Sequence, residues 1–178
     1  MACRKVNVRD NTAVVVVDVQ EGFRPAVLDF EETAASVARL VQGANVLGVP
    51  VYASEQYPQG LGSTVPEVAE HLHGVEPVPK VVFSAADELD LRQQRQAIVC
   101  GIESHICVWQ TARGLIDQGI EVHVARDAVT SRTEANRDLG IELIERAGGS
   151  PTSVETALFE LLGRAGTDEF KSIQKIIK

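Results

Sequence analysis

Apolar residues in this chain cluster in short unbroken runs separated by longer stretches of helical spacing. The run 12–17, Thr-Ala-Val-Val-Val-Val, has no polar alternation and ends in Asp18. That pattern predicts a strand buried on both faces, as in a parallel sheet. Similar runs at 49–53, 78–83, 97–100 and 120–125 predict further strands, and 150–152 a last short one. Between them lie stretches predicted as helices: 31–47, about 65–73, 88–95, 104–118, 134–147 and about 154–164. Strand alternating with helix implies βαβ units and a parallel sheet covered by helices on both faces. Gly48, Gly119 and Gly148-Gly149 stand at helix ends, where a left-handed cap is usual. No repeat, low-complexity tract or linker divides the sequence, so a single domain over 1–178 is expected. The longest irregular loop, 55–64, follows the second strand and is expected to border a ligand site.

Charge narrows the partners. Seventeen Lys+Arg against twenty-five Asp+Glu give a formal net charge of −8, with 44% hydrophobic and 24% charged residues. Such a chain has no electrostatic footprint for nucleic acid or an anionic membrane surface. No apolar run approaches the ~20 residues of a transmembrane helix, and the N-terminus shows no apolar leader core. The three cysteines, Cys3, Cys100 and Cys107, are too few for a disulfide scaffold. Free thiols and a cytoplasmic location are expected.

Three chemistry-bearing residues fall at strand ends or a helix start. Asp18 closes the first strand, Lys80 sits in the third, and Cys107 follows the fourth within Gly101-Ile-Glu-Ser-His-Ile-Cys107. With Ser104 as N-cap, Cys107 would be the third residue of its helix, where the positive helix end favours thiolate. The plainer reading makes Cys107 a small buried hydrophobe. Asp18 could equally cap a turn, and Lys80 could snorkel to solvent. Together, however, a thiol, an acid and a cation are what hydrolysis by a cysteine nucleophile requires. No histidine is clearly placed as base: His105 is expected to point elsewhere and His123 falls in a strand.

The segments Asp18-Val-Gln-Glu-Gly-Phe23, Pro79-Lys80-Val-Val-Phe-Ser84-Ala85 and Gly101-Ile-Glu-Ser-His-Ile-Cys107-Val resemble the isochorismatase-like cysteine hydrolases. The loop 55–62 and the tail look like its isochorismatase-domain-containing subgroup, and the resemblance runs from about residue 11 to the end. It implies Cys107 as nucleophile, Asp18 as general base and Lys80 as stabilising cation. It also implies a cis peptide at Ile102–Glu103, with the backbone N–H groups of Glu103 and Cys107 as oxyanion hole. The fold implied is a three-layer α/β/α sandwich on a mostly parallel, six-stranded, Rossmann-like sheet.

Two departures refine the expectation. Isochorismatases proper lack the cysteine, so retaining Cys107 argues against a vinyl-ether substrate. Metal-binding nicotinamidases carry an Asp and several His after the second strand, whereas here the first histidines are His71 and His73. These are two apart and share no helix face, so no metal and no cofactor are expected. A dinucleotide-binding protein is disfavoured because no Gly-rich phosphate loop follows the first strand. A Cys100–Cys107 redox pair is disfavoured by the strand position of Cys100. The remaining rival is a hydrolase-like fold used for binding or scaffolding. The expectation is hydrolysis of a small-molecule amide C–N bond through a thioester. Phe23, Tyr57 and Leu61 are candidate pocket residues, and a homo-oligomer (dimer or tetramer) is expected. The apolar tail 170–177 is read either as docking on a neighbour or as an ordinary terminal helix.

Overall fold

The computed structural model describes residues 7–178, so Cys3 lies outside the described residues. Strand β1 is Thr12–Val17, every residue of it buried. Its side chains divide strictly by parity: Val14 and Val16 enter one apolar cluster, Ala13, Val15 and Val17 the other. That division explains why the sequence shows no polar alternation, since both faces are covered. Helix α1 (Phe30–Leu47) leads to β2 (Val51–Gln56), after which α2 (Pro58–Leu61) and α3 (Pro66–Ala69) are single turns. Then come β3 (Val78–Lys80) and β4 (Gln96–Ile102), a π-helical turn at Ser104–Val108 that runs into α4 (Trp109–Asp117), and β5 (Glu121–Thr130). The chain ends with α5 (Glu134–Arg146), β6 (Ser150–Thr152), α6 (Val154–Leu162) and α7 (Asp168–Ile176).

The sheet has six strands in the order β3-β2-β1-β4-β5-β6, and every pairing is parallel. Helices α1, α6 and α7 cover one face and α4 and α5 the other, giving the expected three layers. Helix α7 packs on α1 and α6 of its own domain, with Ile173 buried and Phe170 edge-on to Phe159 at 6.3 Å. The terminal-helix reading of the apolar tail is therefore the one seen.

Three predicted elements differ. The third strand stops at Lys80, and Val81, Val82 and Phe83 are exposed by 77%, 52% and 51%. The stretch 88–95 forms turns instead of a helix. Leu89 and Leu91 are both buried, a spacing of two that no helix face offers, and the Asp90 carboxylate accepts from Arg92 N–H. The helix predicted over 65–73 is the one turn α3 followed by further turns.

One glycine fixes how the two central strands meet. Gly101 has φ +122°, and a Cβ there would stand 1.9 Å from the Val17 carbonyl oxygen. Gly101→Ala is expected to lower folding stability by about 3 kcal/mol or more, from backbone strain plus overlap. At Gly119 φ is +83° but a Cβ would meet open space, so Gly119→Ala should lose only about 1–2 kcal/mol. Urea unfolding of both variants measures the difference, and equal losses would contradict the close approach.

Candidate active site

The chain leaves β1 at Asp18, which adopts φ +53° and is fully buried. A buried carboxylate must be paired and hydrogen-bonded, and Asp18 is both. Its Oδ2 lies 2.7 Å from Lys80 Nζ, and its Oδ1 accepts from Ser54 Oγ at 2.7 Å. The Lys80 ammonium also donates to Gln56 Oε1 (2.7 Å), Phe83 O (2.9 Å) and Val82 O (3.3 Å). Three N–H donors thus face four oxygens, and neither the Asp18 nor the Lys80 side chain is exposed. Lys80 does not snorkel, and Asp18 is no mere turn cap.

Cys107 hangs from the π-helical turn, where Val108 N–H reaches back to Glu103 O at 3.2 Å. The peptide Ile102–Glu103 that enters this turn is cis. Ser104 does not cap by its side chain. Instead its Oγ bonds Ser131 Oγ at 2.8 Å and donates to Arg137 O at 3.0 Å, tying the turn to α5. Gly140 allows that contact, since a Cβ there would lie 2.4 Å from the Ser104 carbonyl. Ser131 Oγ also meets Ser104 N–H and His105 Nδ1, both at 3.1 Å. His105 is thereby turned to Ser131, as expected. Glu103 is buried, and its carboxylate accepts from the backbone N–H and the Nε of Arg132.

Cys107 is 4% exposed and sits in the apolar cluster beneath α4, yet the charges of Asp18 and Lys80 bear on its thiol. The buried-hydrophobe reading is thus borne out for its surroundings. Burial foremost, then the negative charge of Asp18, push the thiol up to about 12, against a smaller lowering by Lys80. The helix-end argument for a resting thiolate is overridden: desolvation wins. Cys100 lies in the cluster on the opposite face of the sheet, buried and pushed upward by desolvation, so the two thiols do not face one another.

Other predicted positions are more scattered. Phe23 packs half-buried against the α1-side core. Tyr57 is exposed, with its ring against Gly60, and Leu61 lies on Gly22. A cavity of about 260 Å³ opens beside Lys80, lined by Pro58, Gln59, Pro79, Val81, Val82 and Glu88. A larger hollow of about 680 Å³ lies at the other end of the sheet, around Arg95 and Ile120. His71 meets Gln42 through Nε2, His73 is exposed, and His123 is buried in β5 with Nε2 3.6 Å from Glu121. Among the described residues, no three His, Cys, Asp or Glu gather as a metal site would need, and no helix is long and apolar enough to cross a membrane. Sequence reasoning missed Ser54, Gln20 and Gln56 as parts of the polar cluster. All three sit at or just past the carboxyl ends of β1 and β2, the one signal that marks them.

Comparison with known proteins agrees with this fold. The isochorismatase domain family matches residues 12–156. Isochorismatase domain-containing protein 2 of Bos taurus is 39% identical over 173 residues, covering 94% of this chain and 83% of that one. A structure described as the MAR1 ribonuclease of Caenorhabditis elegans superposes with TM-score 0.89 at 36% identity, covering 97% and 92%. YcaC shares the fold at TM-score 0.89. The Pseudomonas aeruginosa structure, with hexane-2,5-diol and covalent acrylamide, is 22% identical and covers 99% and 93%. The Escherichia coli one, described as an octameric hydrolase of unknown specificity, is 20% identical and covers 99% and 92%.

The raised thiol gives a prediction opposite to that for an activated thiolate. In native protein without substrate, iodoacetamide labelling of Cys107 should keep climbing with pH beyond 9. An ordinary thiol would level off above its pKa of ~8.5. Asp18→Asn removes a negative charge and an acceptor that raise the thiol, so its labelling curve should move to lower pH. Peptide mass spectrometry reads both, and a wild-type plateau below pH 9 would refute the buried, acid-paired thiol.

Proposed function

The chain belongs to the isochorismatase family, and from that premise we propose that it is a cysteine hydrolase cleaving the C–N bond of a small amide. The observation carrying this reading is one buried cluster in which the Asp18 carboxylate bears on the Cys107 thiol and pairs with the Lys80 ammonium. Because the resting thiol is neutral, its proton passes to Asp18 as sulfur attacks the carbonyl carbon. The C–S bond forms, the carbonyl π electrons move to oxygen, and the backbone N–H groups of Glu103 and Cys107 hold that oxyanion. Collapse returns the electrons, breaks the C–N bond, and Asp18 hands its proton to the departing nitrogen as ammonia or amine. Water then attacks the thioester, Asp18 takes one water proton and passes it to the leaving sulfur, and the carboxylic acid is released.

Lys80 acts through Asp18, not on substrate, since its three N–H groups are spent on four protein oxygens. Phe23, Tyr57 and Leu61 remain our candidates for the outer wall, beside the cavity at Pro58 and Val82. No step calls for a metal or cofactor. A free catalytic thiol suits a reducing cytoplasm, and the octameric state described for YcaC supports assembly of this chain into a homo-oligomer. The covalent acrylamide of the Pseudomonas protein supports an amide-sized pocket in this fold.

The name of the Caenorhabditis elegans relative raises RNA as a second substrate class. A net charge of −8 offers no long-range attraction to a phosphate backbone, which makes the small amide the better reading. A binding or scaffold role predicts no turnover of either.

A panel of small primary amides followed by ammonia release tests the reading, with single-stranded RNA as the parallel substrate. Cys107→Ala and Asp18→Asn should each lower amide turnover by about a thousandfold or more. Turnover unchanged in Cys107→Ala would overturn the mechanism. RNA cleavage lost in the same variant, with no amide consumed, would transfer the site to the other substrate.

A further inference from the structure

Lys80 is two strands away from the carboxylate it neutralises. Asp18 ends β1, Lys80 ends β3, and β2 runs between them. At roughly 4.8 Å between neighbouring strands, the ammonium must cross the end of β2 to reach Asp18. The residue it crosses is Gln56, the register partner of Lys80 in the β2–β3 pairing.

Gln56 is held as if the sheet continued where β1 has already left. The last β1–β2 pair is Val17 with Ser54, and the chain turns away at Asp18. The β1-facing backbone groups of Gln56 would then lack a strand. The Gln20 side chain replaces it: Gln20 Oε1 accepts Gln56 N–H at 2.7 Å, and Gln20 Nε2 donates to Gln56 O at 3.0 Å and Gly62 O at 2.6 Å. With its backbone fixed, Gln56 spends its own amide in two directions. Oε1 accepts from Lys80 Nζ at 2.7 Å, and Nε2 donates to Val81 O at 3.0 Å. The carbonyls of Val81, Val82 and Phe83 all turn inward to this pair of side chains, which is why the three apolar side chains point to solvent.

We propose that Gln56 is a positioning residue of this site. Its amide sets where the Lys80 ammonium stands between Asp18 and the 81–83 loop, and so sets the balance of charge around Cys107. The proposal rests on Cys107 being the working thiol. The charged groups bearing on that thiol are Asp18 from the end of β1, Lys80 from β3 and Glu103 from the end of β4. Glu103 is paired with Arg132, and His105 is turned to Ser131, so Lys80 is the cation left to offset Asp18. Gln56 bonds that cation and touches no reacting atom.

The test compares wild type, Gln56→Glu and Gln56→Met for iodoacetamide labelling of Cys107 against pH, with Cys100 labelling as a check on folding. Gln56→Glu keeps shape and adds a negative charge beside Lys80, so the curve should move to higher pH. Gln56→Met removes both bonds and loosens the ammonium, which also moves the curve upward. Its labelling rate at pH 8 should fall by about tenfold to a hundredfold, the range expected for bonds to a charged group. If Gln56→Met unfolds, exposing Cys100 to reagent, the isosteric Gln56→Glu curve decides alone. Curves in folded variants that superpose on wild type overturn the proposal. The amide reading fails separately, by undiminished amide turnover in Cys107→Ala, and that result leaves the labelling curves to stand or fall by themselves.

Discussion

The ion pair between Asp18 and Lys80 is the constraint from which the surroundings follow. Both side chains are wholly buried, and removing one partner of such a pair typically costs about 3–5 kcal/mol because the other charge is left unpaired. A buried ammonium also needs every N–H matched, and among the described residues the side-chain acceptors it meets are Asp18 and Gln56. Backbone carbonyls of the following loop fill the remainder. The loop must turn those carbonyls inward, which ends β3 at Lys80 and pushes Val81, Val82 and Phe83 outward. An apolar tripeptide on the surface is thus a consequence of charge burial, not an accident of packing.

The same burial decides the state of the Cys107 thiol. A position at the start of a helix favours thiolate, but the effect is modest and confined to the first turn. Withdrawal from water and the charge of Asp18 act against it and are larger, which favours the protonated Cys107 thiol at rest. Such a site stores no thiolate for stray electrophiles. In the proposed reaction proton transfer is coupled to bond formation at the carbonyl, and Asp18 suits the role of base because Ser54 on one carboxylate oxygen and Lys80 on the other fix it in place.

The strands were legible because β1 and β4 are unbroken apolar runs, and Asp18, Lys80 and Cys107 because chemistry-bearing residues rarely stand at the ends of such runs by chance. Motif resemblance added the pairing of the three, which spacing by itself does not give. The run 78–83 misled because Val-Val-Phe has strong strand character, while the force that bends it comes from an ammonium and an amide whose positions only the fold defines. At 88–95 helical composition lost to the burial of Leu89 and Leu91 and to the side chain of Asp90. Gln20 and Gln56 escaped notice for a related reason. They act through backbone atoms thirty-six and twenty-five positions away, and glutamine in an ordinary turn has the same local appearance.

Strand order supplies the last link. In the order β3-β2-β1-β4-β5-β6 the connections run outward one way from β1 to β3 and return to the opposite side at β4, so the chain reverses between β1 and β4. Open parallel sheets bind ligands in the crevice at that reversal, beyond the carboxyl ends of the strands. Here β1 delivers the carboxylate and β4 leads into the turn bearing the thiol, while Gly101 lets the two strands close to the Val17 carbonyl. The cation has no place on either strand. It comes from the edge, across β2, on the four-carbon stem of a lysine, which is long and flexible enough to make that crossing. A residue on β2 must therefore receive it on the way, and in this chain that residue is Gln56.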